Sequence, residues 1–114
     1  MGWFATSRFD SAIVAFQQMY RSAERQHIVK DMGAALSYQG FALRQMGDQR
    51  GALEMIQRAM KCLAQLPPGP DLANCYHELG IIQGEDGKLD SAMVAYKEAA
   101  RLYKRSEERR VGKE

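Results

Sequence analysis

The sequence predicts an all-α chain, a solenoid of antiparallel helix pairs with about two and a half repeats. Three observations predict it. The stretch "FDSAIVAFQQMYRSAER" from Phe9 returns 80 residues later as "LDSAMVAYKEAARLYKR" from Leu89. Half that offset lands on a third copy, "QRGALEMIQRAMKCLAQ", so the period is 40 residues. The three prolines sit in one cluster, which leaves the rest of the chain free to be helical.

Each element reads as a helix in turn. From Phe9, Asp10, Ser11, Ala12, Val14, Ala15 and Arg21 are identical to Asp90, Ser91, Ala92, Val94, Ala95 and Arg101. Phe9/Leu89, Ile13/Met93 and Phe16/Tyr96 keep size and apolarity. The next helix, "DMGAALSYQGFALRQM", ends against Gly47, where a left-handed residue can close it. Asp48 then opens the following helix, its carboxylate available to free backbone N–H groups. There Ala52, Leu53, Ile56, Ala59, Met60 and Leu63 make a helical apolar stripe. "LPPGPDLA" stops that helix and starts another, since proline breaks an interior but suits a first turn. "PDLANCYHELGIIQGED" follows and ends near Gly87. The last copy places Leu89, Ala92, Met93, Tyr96, Ala99, Ala100 and Tyr103 on one face.

Small residues set the spacing of the pairs. Gly40 and Gly80 lie inside helices, where each costs roughly 1 kcal/mol relative to alanine. Their recurrence points to close helix approach. Ala12, Ala52 and Ala92 face the same seam, with Tyr76, Leu79 and Tyr96 filling the space around it. On this reading Gly80→Leu and Ala92→Trp each overpack the seam, at about 3 kcal/mol.

Tyr76, Leu79, Gly80, Gly87, Ala92, Tyr96 and Ala99 resemble the tetratricopeptide repeat pattern W-x2-L-G-x2-Y…G…A-x3-F-x2-A. The middle copy matches with Leu36, Gly40, Leu43, Gly47, Ala52, Ile56 and Ala59. Gln39 departs from it where leucine is usual, and Gln83 where an aromatic is usual. The period exceeds the family's common 34 residues. It is similar to the longer-repeat members, such as kinesin light chains, rapsyn and the Leu-Gly-Asn-rich spindle scaffolds. The resemblance implies a partial repeat at residues 1–32, the end of a first helix plus a second helix. Repeats at 33–72 and 73–104 follow it. Met1 aligns with Phe41 and Ile81 in mid-helix, so the expectation is a fragment of a longer array. "MGWFATS" loosely fits a myristoylation signal, and an internal Met1 discounts it.

Composition narrows the function. A net charge of +2 is too balanced to predict a phosphate-binding surface. No apolar run approaches a membrane span and no secretory signal is present, so the expected setting is cytoplasmic, without membrane or nucleic-acid partners. Cys62 and Cys75 make no disulfide framework and read as reduced packing residues. Cys75 and His77 lack a second ligand pair, so no metal is expected. His27 reads as a solvated residue near a helix end. "GEDGKLD" lacks calcium-loop spacing and reads as a turn. No nucleophile with a spaced base, phosphate loop or paired-carboxylate signature appears. The chain therefore reads as a non-enzyme without cofactors.

What the resemblance implies is a concave groove for a peptide or helix, lined by Phe4, Ser37, Phe41, Arg44, Asn74, His77 and Ile81. The competing reading has Phe41 and Ile81 packing between repeats. Ser37, Phe41, Asn74 and His77 do not supply the two-carboxylate clamp of chaperone-binding members, which disfavours chaperone tails. The leading function is a protein–protein interaction scaffold. The alternative is a regulatory or substrate-recruiting segment of a larger enzyme or signalling protein. Residues 105–114, "RSEERRVGKE", resemble a translated sequencing adapter and are expected to be non-native. Their Glu and Arg residues would still extend a helix.

Overall fold

The computed structural model describes the backbone of residues 2–112 and the side chains of residues 8–108. Five helices run in order: α1 (Gly2–Gln26), α2 (Val29–Gln45), α3 (Gln49–Leu63), α4 (Pro70–Glu85) and α5 (Leu89–Gly112). No strand occurs among the described residues. The chain forms two compact units, Met1–Leu66 with α1 to α3 and Pro67–Glu114 with α4 and α5.

In the first unit α2 packs between α1 and α3. Glycines show how closely α2 and α3 approach. A Cβ on Gly33 would lie 2.6 Å from Leu63, and one on Gly40 would lie 2.7 Å from Ile56. Going forward along α2 means going backward along α3, so the pair is antiparallel. Ala52, Ile56, Ala59 and Leu63 are the buried stripe of α3. On the other side, the Phe16 and Tyr38 rings meet at 5.2 Å between α1 and α2.

The turns follow one design in three versions. After α2, Gly47 sits at φ +89°. The Asp48 N–H donates to the Leu43 carbonyl at 2.9 Å. After α4, Gly87 has φ +80° and the Lys88 N–H donates to Gln83 at 2.8 Å. After α1 the same bond runs from Ile28 to Ala23 at 2.9 Å, with His27 left-handed at φ 57°. All three are helix stops that need a positive φ, and histidine is among the non-glycine residues that accept one. Asp48 also caps α3, its carboxylate accepting from the Gly51 N–H at 2.9 Å.

Two expectations need correction. The sequence reading ends one helix before Phe9, but α1 is continuous from Gly2 to Gln26. Ser7 stands where Gly47 and Gly87 stand in the later copies, so nothing favours the left-handed stop. Ala12 consequently has no antiparallel partner helix before it and is half-buried, whereas Ala52 and Ala92 are buried. The second correction concerns α5. Its buried side chains are Ala92, Ala95, Ala99 and Leu102. Leu89, Met93 and Tyr103 of the expected stripe are exposed, Met93 at 55%. The stripe read from the sequence is rotated by about one residue from the face that packs on α4.

In the second unit α4 and α5 pair antiparallel. A Cβ on Gly80 would lie 2.7 Å from the Tyr96 ring, and one on Gly84 would lie 3.8 Å from Ala92. Pro70 occupies the first turn of α4, preceded by an extended Gly69.

Candidate functional site

Two helix faces carry the residues singled out from the sequence. On α2, Ser37, Phe41 and Arg44 fall at i, i+4 and i+7, one side of the helix. Phe41 is 42% exposed, an unusual level for a phenylalanine on a helix packed on two others. The Arg44 guanidinium lies over its ring, 5.4 Å from the centroid, a cation–π contact. Ser37 and Arg44 are half-buried. The α2 face is thus an aromatic plate with a cation on it.

On α4, Asn74, His77 and Ile81 fall at i, i+3 and i+7. Two of the three have partners inside the helix pair. The Tyr103 hydroxyl donates to the Asn74 side-chain carbonyl. The His77 ring tilts against Tyr96 at 5.7 Å between centroids. Both residues are exposed and Ile81 is half-buried. The sequence reading had not anticipated that α5 tyrosines would hold this face. Phe4, the remaining groove candidate, lies outside the side chains the structure describes.

Burial raises the Tyr103 hydroxyl that bonds Asn74, and it acts on the two cysteines as well. Burial pushes the Cys75 thiol up to about 12, with the Asp71 and Glu78 carboxylates adding to it. Cys62, half-buried, is raised by burial while Arg58 acts in the opposite direction. The Cys75 thiol, held protonated, is a packing atom rather than a nucleophile. At pH 8 only about one Cys75 in ten thousand would be thiolate. Ellman's reagent is therefore expected to label Cys62 first and Cys75 only on unfolding. Labelling of native Cys62→Ser protein at the wild-type rate would contradict this.

Among the described residues no group of three or more His, Cys, Asp or Glu side chains could hold a metal ion. No described helix is long and apolar enough to cross a membrane. What the sequence reading missed is a cleft in the first unit, lined by Tyr20, Arg21, Glu24, Gln39, Met55 and Arg58 among others. One signal pointed to it, a glutamine at position 39 inside an apolar pattern.

No curated protein and no solved structure matches the chain. A family model described as "Tetratricopeptide repeat" matches residues 31–105, more than half of the sequence. Such repeats are protein–protein interaction modules and typically non-catalytic. The match spans both antiparallel pairs and the two glycine turns within them. This chain belongs to the tetratricopeptide repeat family.

Proposed function

We propose that the chain is a scaffold module that binds a peptide or short helix on the Phe41 face of α2. The observation that carries this reading is Phe41 itself, 42% exposed and stacked with Arg44. An exposed, rigid aromatic beside a cation is the kind of anchor that dominates interface energies. The Asn74, His77 and Ile81 face of α4 is a second candidate contact of the same kind. Its Asn74 and His77 side chains are held by Tyr103 and Tyr96, which fixes their geometry at little further entropic cost to a ligand.

The test is selection of a displayed peptide library against the wild-type chain, then affinity measurement on variants. Phe41→Ala should weaken the selected peptides by about 2 kcal/mol, roughly thirtyfold in Kd. The melting temperature should fall only slightly, because Phe41 is already 42% exposed in the folded chain. Arg44→Glu should weaken them as well. Peptides that bind both variants as tightly as wild type would remove the α2 face from consideration.

A further inference from the structure

The cleft in the first unit holds a buried polar residue that the fold does not explain. Gln39 is only 5% exposed, and it lines this cleft between α1, α2 and α3. Its amide has no hydrogen-bond partner among the described residues. Its amide atoms are not among the side-chain atoms closed off from solvent, so the amide opens into the cleft, where a ligand can reach it. The second repeat shows that the position does not require it. Forty residues on, Leu79 occupies the same place, in a cleft lined by Tyr76, Gln83, Ser91, Val94 and Ala95. Arg58 likewise corresponds to Glu98. The combination of Gln39 with Arg58 therefore belongs to one copy alone and is not a demand of the repeat.

The surroundings of Gln39 have the character of an anion site. The Arg58 guanidinium is held over the Tyr20 ring at 5.6 Å and lies 3.6 Å from the Met55 sulfur. Neither Arg58 nor Arg21 has a carboxylate partner among the described residues. With Glu24 also in the lining, the charged side chains sum to a single positive charge. That suits one negative charge, a carboxylate, better than a phosphate dianion.

We propose that the cleft between α1, α2 and α3 binds a single carboxylate, the Asp or Glu side chain of a peptide partner. In this site Gln39 donates an amide N–H, and Arg21 and Arg58 supply the charge. The site is separate from the Phe41 face and stands independently of it.

The test is an NMR titration of the 15N-labelled chain. The signals followed are the Gln39 side-chain amide and the Nε–H groups of Arg21 and Arg58. The probes are N-acetylglutamate N′-methylamide, its glutamine analogue and inorganic phosphate. The glutamate probe should shift all three signals saturably, and the glutamine analogue should not. Arg58→Gln should weaken the response by about fivefold or more. Gln39→Leu, which installs the second repeat's own residue, should raise the melting temperature by about 4 °C and abolish the saturable response. A lower melting temperature for Gln39→Leu would make Gln39 a structural residue and overturn the proposal. Equal shifts from the glutamine analogue would overturn it too. If phosphate shifts the signals as strongly as glutamate, the cleft is an adventitious anion site only. If Gln39→Leu does not fold, the exposed Arg58→Gln variant decides, and an unchanged response there counts against the site.

Discussion

Gly40→Leu is expected to cost the first unit about 3 kcal/mol, a large part of the roughly 5–15 kcal/mol that holds a domain of this size. The reason is local. A Cβ at this position would stand 2.7 Å from Ile56 Cδ1, 2.8 Å from its Cγ1 and 3.2 Å from the Ala52 carbonyl oxygen. Ile56 is fully buried, and the Ala52 carbonyl is backbone, so neither can step aside cheaply. Even Gly40→Ala should lose stability, although alanine gains roughly 1 kcal/mol of helix propensity. Chemical denaturation followed by circular dichroism measures both. The diagnostic experiment is a double-mutant cycle. Ile56→Ala alone should cost about 2–5 kcal/mol by leaving a cavity. Combined with Gly40→Leu, it should cost clearly less than the sum, because each change fills or empties the same space. Additive losses would show that the Gly40–Ile56 contact is not the cause.

The same change at Gly80 should be milder, although both glycines hold the same place in the repeat. The neighbour there is the Tyr96 ring, at 2.7 Å from a built Cβ. Tyr96 is 40% exposed and can rotate outward, giving up its contact with His77. The two copies, alike in sequence, are therefore split by what stands opposite each glycine.

That split marks what this sequence makes legible. The helix-turn-helix units could be read because their signals are local: a glycine at Gly47 or Gly87 and a proline cluster act on their own backbone. The missing turn in α1 was readable too, but only by noticing that Ser7 replaces glycine, an absence within an otherwise matching repeat. The rotation of α5 was not legible. Alanine and leucine faces compete on a helix with apolar residues on several sides, and packing against α4 chooses Ala95 and Leu102 over Leu89 and Met93. Of the candidate site, the Phe41–Arg44 pair follows from i, i+3 spacing. The tyrosine contacts to Asn74 and His77 join residues 29 and 19 positions apart along the chain, and no periodicity announces them. Gln39 was visible as an exception, but its cleft needed α1 and α3 in place.

The α5 register gives the other large effect. Ala92 is 3% exposed and faces α4, where a Cβ on Gly84 would already be in ordinary contact with it at 3.8 Å. An indole at position 92 must push the two helices apart, so Ala92→Trp should cost about 3 kcal/mol or more. Met93→Trp introduces the same side chain one residue later, on a position 55% open to solvent, and should stay within about 0.5 kcal/mol of wild type. Hydrogen exchange gives the readout, since the loss should appear as faster exchange of amides in α4 and α5. The sequence alone puts residues 92 and 93 on one apolar stripe. The structure separates them, because a step of one residue turns a side chain through about 100° around the helix. Equal protection in the two variants would mean that α5 does not meet α4 through its Ala92, Ala95, Ala99 and Leu102 face.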